Sequence, residues 1–291
     1  MRKLSCHLIV LTILLSAHVL GMQAQAPAAQ GGGRGAAAAP PAPQPIPGSP
    51  LYQAKGEQYR VYDFPGTGES IPYRLFVPSR WTPQTKLPIL VTLRAGNSVN
   101  NSYRSNNDFV KQAEARGYIV VTPMGYRPLS QPYYGSPYKI DRPNAAAPAA
   151  GWTELENQRA DQDVMYVIDL VAKEYNADAT RIYLHGQNPS GSGALYLGSK
   201  YPDKFAALVI SSAPIVDDGY PYANLKGKVA VLVVHGDQDT TNPIAGSQKM
   251  AEKMKSLGID AAFIAIPGGT HLEAYLTGAS QIFDFLDKHK K

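Results

Sequence analysis

The sequence predicts an α/β fold, a mostly parallel central sheet with helices on both faces. Three observations predict it. Strand-like and helix-like segments alternate between 58 and 289. Several of the strand-like runs are short and almost wholly apolar, as strands buried on both faces must be. After a low-complexity N-terminal stretch, about 240 residues remain, a length that suits one α/β domain.

The elements follow in order. Residues 1–26 read as a signal peptide: Arg2 and Lys3 precede an apolar run from Leu8 to Leu20, and Ala24-Gln25-Ala26 is a small-residue cleavage site. The run is shorter than the roughly 20 apolar residues a membrane span needs, so no stable span is expected after cleavage. Residues 27–50 are dominated by Ala, Pro, Gly and Gln and read as a linker, since such a segment cannot bury a core. The folded domain is expected over 51–291.

Within it, 58–63 and 71–77 read as two strands around the turn Pro65-Gly66-Thr67-Gly68. Runs 87–93 and 118–122 read as buried strands, with a helix over 106–116 ended by Gly117. The stretch 124–151 is rich in Pro, Tyr and Gly, and a loop of that length is more often functional than not. Val164, Val167, Ile168 and Val171 give helical spacing over 161–175. A strand over 181–185, a Gly/Ser-rich turn and a helix to Tyr201 come next. Strands are then expected over 207–211, 229–234 and 261–266, with helices over 245–257 and 275–289.

Composition narrows the function. With 44% hydrophobic and 18% charged residues, a disordered chain, a coiled coil and a multi-span membrane protein are excluded. The formal charge of +5 is dispersed, so nucleic acid is not an expected partner. Cys6 is the single cysteine and would leave with the signal, which excludes a disulfide scaffold and a thiolate zinc site.

In parallel sheets, sites sit at the carboxyl ends of strands. Three segments follow predicted strands: 186–193, 235–242 and 267–272. The order strand–turn–helix, then Asp, then His is that of an α/β-hydrolase. From about Tyr59 to Lys290 the chain resembles secreted α/β-hydrolases of the polyhydroxybutyrate-depolymerase and feruloyl-esterase type, which are similar to prolyl-oligopeptidase-like serine hydrolases. The most specific matching segments are 116–123 (RGYIVVTP), 161–164 (DQDV), 181–184 (RIYL), 196–202 (YLGSKYP), 235–239 (HGDQD) and 267–271 (PGGTH). The resemblance implies the α/β-hydrolase fold. It also implies that Asp239 orients the histidine and that His271 is the general base. Asp237 competes with Asp239, whose ordinary alternative is a turn aspartate bonding its own backbone. His185 and His235 read as structural, and His289 as solvated.

The chain departs from that family at the nucleophile turn. Gly-x-Ser-x-Gly is replaced by Gly186-Gln187-Asn188-Pro189-Ser190, and matching flanks put Asn188 where the serine belongs. Pro189 then occupies the position whose N–H forms half of the oxyanion hole, and proline has none. On the other side of the hole, Arg94 and Ala95 stand in place of the family's His-Gly. If the turn were re-registered, Ser190 would be an alternative nucleophile with Gly191 as donor. Otherwise Ser190 and Ser192 are N-cap and first-turn residues of the following helix.

These features lead to an exported protein, secreted or periplasmic, of esterase ancestry, with serine-hydrolase activity lost or strongly reduced. Its expected ligand class is a small-molecule or polymer ester, and the aromatics Tyr126, Tyr133, Tyr134, Tyr138 and Trp152 are candidates to stack on it or to pack a lid. The alternative is an active carboxylic-ester or peptide hydrolase using Ser190 with His271 and Asp239, or a slow hydrolase in which His271 activates water. A metal site built from His235, Asp237, Asp239 and His271 is the least favoured reading. No cofactor or metal is expected, and the sequence leaves the oligomeric state open.

Overall fold

Alternation of buried strands with helices produces the sheet that the sequence predicts. The computed structural model describes residues 53–93, 108–126, 154–214 and 220–291. The signal peptide, the linker, Arg94, Ala95, Tyr133, Tyr134, Tyr138 and Trp152 lie outside them.

Eight strands form one sheet in the order β1-β2-β4-β3-β5-β6-β7-β8. They are β1 (Gly56–Asp63), β2 (Ser70–Val77), β3 (Ile89–Thr92), β4 (Ile119–Pro123), β5 (Ile182–Gln187), β6 (Ala207–Ser211), β7 (Ala230–Gly236) and β8 (Ala261–Ile266). β2 runs antiparallel to both β1 and β4, and all other pairs are parallel. The central strands are buried along their whole length, which is why they read as apolar runs rather than alternating ones.

Helices α1 (Asp108–Arg116), α2 (Glu154–Glu174), α3 (Pro189–Lys200), α4 (Ile244–Ser256), α5 (Ala274–Thr277) and α6 (Ala279–Leu286) cover the two faces. Strand residues alternate between two cores. Ile89, Val91, Leu208 and Ile210 join Val164 of α2, Leu195 of α3 and Met254 of α4. Leu90, Ala207 and Val209 join Phe109 of α1 and Phe283 of α6 on the other face.

Two helices differ from the sequence reading. α2 begins seven residues early, at Glu154: its first two turns leave Leu155 exposed and bury Glu156, so the apolar spacing does not extend over them. Asp161 is 1% exposed and accepts hydrogen bonds from Lys200 (2.6 Å) and Tyr196 (3.1 Å) of α3. No apolar stripe marks those turns. The closing helix is split at Gly278, where a Cβ would lie 2.7 Å from Ala274 O and 2.9 Å from Ile266 Cδ1. A short 3-10 turn, Tyr222–Leu225, also escapes the sequence reading. His289 is half-buried rather than solvated: Nδ1 meets Phe285 O at 2.7 Å, Nε2 meets Asp260 Oδ2 at 3.1 Å, and its ring lies on Phe285.

Candidate active site

A single residue, Asn188, joins β5 to α3. Asn188 sits at the apex with φ 56° and ψ −128°, a backbone region that is strained for residues other than glycine. Its N–H donates to Ser211 O (2.9 Å) and its carbonyl accepts from Gly191 N (3.0 Å). Glycine is required just before the apex, because a Cβ on Gly186 would lie 2.0 Å from Ser190 O. Pro189 takes the first helical position of α3, where its missing N–H costs the helix nothing.

Ser190 and Ser192 lie in the first turn of α3 and are buried. Neither bonds the imidazole. His271 Nε2 has no hydrogen-bond partner among the described residues.

The turns after β7 and β8 are held together by backbone contact. Gln238 N donates to Gly269 O (3.0 Å), and Asp237 N to Ile266 O (3.2 Å). Gly236 is the point of closest approach: a Cβ there would lie 2.0 Å from Gly269 O. This packing brings His271 Nδ1 to 2.8 Å from Asp239 Oδ2. Gln187, beside the apex, donates from Nε2 to His271 O (2.9 Å) and fixes the histidine loop against β5.

The Asp239 side chain is buried and satisfies both of the readings its position allowed. Oδ1 accepts from Thr241 N (2.8 Å) and Asn242 N (2.9 Å), as a turn aspartate does, while Oδ2 faces His271. Burial acts to raise its pKa, but hydrogen bonds from Asn242 N, His271 and Thr241 N outweigh it and hold the carboxyl below its ordinary range. Asp237 takes no part in this: its Oδ1 accepts from Gly268 N (2.8 Å) and pins the turn before His271.

His235 does more than fill space at the end of β7. Nε2 lies 3.0 Å from both Asn242 O and Asp239 Oδ2, two acceptors, so Nε2 carries the proton. Nδ1 then accepts from Ser247 Oγ at 2.7 Å. Two histidines thus share one carboxylate oxygen. Asn242 joins this group to the apex, donating from Nδ2 to Ser212 O (2.7 Å) and to Asn188 Oδ1 (3.2 Å). The sequence reading passed over Asn242, and its signal was slight: an amide at the end of an Asp-Thr-Thr-Asn turn. Tyr126 is buried, with its hydroxyl bonded to Arg159 (2.6 Å) and Glu69. Among the described residues, no group of three or more His, Cys, Asp or Glu side chains is placed to hold a metal ion.

His185 and His235 make stability depend on pH. Burial pushes the His185 pKa down from 6.5 to about 3. Burial also lowers that of His235, against the opposing pull of Asn242 O and Asp239. His185 stays neutral in the fold down to about pH 3 while the unfolded chain protonates, and His235 is harder to protonate in the fold than in the unfolded chain. Stability is therefore flat with respect to these groups above pH 6.5 and falls below it, by about 1.4 kcal/mol per pH unit for His185, with His235 adding to the fall in the same direction. Urea unfolding from pH 7 to 4.5 is expected to show this fall, and His185→Gln to reduce its slope by about 1.4 kcal/mol per pH unit. An unchanged slope in the variant would refute the assignment.

Residues 65–273 match the esterase family described as "Putative esterase". A bifunctional acetylxylan esterase/xylanase of Neocallimastix patriciarum is 26% identical over 174 residues, 60% of this chain and 22% of that protein. Acetylxylan esterase A of Emericella nidulans is 21% identical over 186 residues, 64% of this chain and 56% of that one. The chain thus spans about a fifth and just over half the length of these two relatives. A solved structure titled ferulic acid esterase superposes with a TM-score of 0.60 at 18% identity, covering 81% of this chain and 99% of that one. By the match over 65–273 and by its sheet, the chain belongs to this esterase family and has the α/β-hydrolase fold.

Proposed function

We propose that the protein is an exported esterase-fold protein that binds an acyl-bearing ligand and does not form an acyl-enzyme. The single observation that carries this reading is Asn188 at the apex, backed by Pro189. A carboxamide cannot serve as the hydroxyl nucleophile that His271 would activate, and loss of the nucleophile costs on the order of 10⁶ in rate in a serine protease. A missing oxyanion donor costs about 10²–10³ more. Asp239 and His271 pair at 2.8 Å, as an acid and a base would, and His271 Nε2 is buried with no hydrogen-bond partner among the described residues. Leu272, next to His271 in the chain, is 64% exposed and leaves an apolar side chain at the surface there. The names of the similar proteins, acetylxylan esterases and a ferulic acid esterase, support an ester or its acyl product as ligand.

Export rests on the 1–26 segment, with 27–50 as a linker to the domain; among the described residues no helix is long and apolar enough to cross a membrane.

The test is labelling with a fluorophosphonate serine probe. Wild type is expected to remain unlabelled, and Ser190→Ala to be indistinguishable from it. Labelling that disappears in Ser190→Ala would replace this reading with a hydrolase using Ser190. A second reading, slow ester hydrolysis by water activated at His271, is favoured by the unpartnered Nε2 beside an intact Asp239 contact. It predicts turnover of an aryl acetate without labelling, abolished in His271→Ala.

A further inference from the structure

His235 stands four residues before Asp239, at the end of β7. It is fully buried, and both of its ring nitrogens are engaged. Asn242 O and the Asp239 carboxylate can only accept, so Nε2 donates to them. Nδ1 is left to accept from Ser247 Oγ of α4, itself 1% exposed. The ring is thus held on two sides, with its one N–H aimed at the carboxylate.

That donor falls on the oxygen that His271 uses. Asp239 Oδ1 is held by Thr241 N and Asn242 N, two amides of its own turn. A carboxylate held at one oxygen keeps freedom at the other, because its terminal torsion is broad. Oδ2 takes His271 Nδ1 at 2.8 Å and His235 Nε2 at 3.0 Å. His271 comes from the turn after β8, whereas His235 belongs to a strand inside the sheet. Burial also makes His235 hard to protonate, so it offers a neutral N–H and leaves the Asp239 charge uncancelled.

We infer that His235 is a positioning residue for the Asp239–His271 pair: its Nε2–H holds Asp239 Oδ2 where His271 Nδ1 meets it, and so fixes the His271 proton on Nδ1. A core histidine that only filled space would need no acceptor in common with His271. This role is the same for acyl binding and for water activation. It rests on the reading of Asp239 and His271 as a working pair.

Wild-type protein carrying ¹⁵N-labelled histidine gives the direct test. Ring nitrogen shifts of the neutral imidazoles are expected to show His235 protonated on Nε2 and His271 on Nδ1. A cross-relaxation peak is expected between those two N–H protons, since both point at one oxygen. His235→Gln and His235→Asn both remove the ring. The longer amide reaches about as far as Nε2 and keeps a donor for Oδ2, while the shorter one reaches only to the Nδ1 position. His235→Asn is expected to speed water exchange of the His271 Nδ1 proton at least about tenfold, and His235→Gln to recover most of that protection at a similar urea midpoint.

Ring shifts that put the His235 proton on Nδ1, no peak between the two N–H protons, or equal His271 exchange in the two variants would overturn the inference. The first two are read in the wild type and do not depend on a variant that folds. Fluorophosphonate labelling of the wild type would instead overturn the non-acylating reading and leave the imidazole signals of the unlabelled protein intact, so the two failures are separable.

Discussion

Asn188→Ser is expected to turn an unlabelled protein into one that reacts covalently with a fluorophosphonate. The backbone at the apex already has the sharp turn a nucleophile needs, and the His271–Asp239 pair is assembled at 2.8 Å. What the proposal finds missing is a hydroxyl. The apex backbone is strained by about 1–3 kcal/mol for either residue, so the exchange itself is expected to change that strain little.

The single variant is expected to turn over an aryl acetate weakly. Pro189 still denies the tetrahedral intermediate one N–H, and Asn242 loses its acceptor on residue 188. Adding Pro189→Ala restores that N–H at the first position of α3 and is expected to raise kcat by about 10²–10³ over the single variant, the value of one oxyanion donor. Steady-state kinetics with active-site titration reads both steps. Equal kcat in the single and double variants would show that the 189 N–H does not face the reacting carbonyl. Failure of Asn188→Ser to label would show that residue 188 is not presented to the imidazole.

The largest loss of stability is expected from Gly236→Ala. The added Cβ would stand 2.0 Å from Gly269 O and 2.5 Å from Gly269 C, backbone atoms that cannot swing aside as a side-chain end can. The turns after β7 and β8 must separate, and those turns carry Asp239 and His271. Forced overpacking ordinarily costs about 1–3 kcal/mol, and a backbone–backbone clash belongs at or beyond the upper end. Loss of the downfield His271 Nδ1 proton resonance should accompany a lowered urea midpoint. Gly66→Ala is the control: φ is +79° but no atom lies within 4 Å of the new Cβ, so only about 1 kcal/mol of backbone strain is expected. Equal midpoints in the two variants would refute the close-approach argument.

Much of the fold was legible in local pattern. The central strands announce themselves because burial on both faces demands unbroken apolar runs, as in Val231–Val234. The first turns of α2 were not legible, because they bury Glu156 and leave Leu155 exposed, the reverse of an apolar stripe. Periodicity registers apolar burial and is blind to polar groups buried in pairs. The split of the last helix was hidden for a related reason. Gly278 alone is a weak stop signal, and the contact with Ile266 that demands glycine there comes from β8.

The site divides in the same way. The spacing of Asp239 and His271 after their strands, and the substitutions at 188 and 189, stand in the sequence itself, since each is a matter of residue type at a strand end. By itself the sequence determined the order of strands and helices and which chemical groups stand at the three strand ends. Only the tertiary structure decided that His235 shares the Asp239 carboxylate, that Asp237 turns instead to Gly268 N, and that Asn242 donates to the Asn188 side chain. Residue identity limits what a side chain can donate or accept, but which partner it meets depends on loops from distant strands closing to within 3 Å, and that closure is a property of the packed sheet.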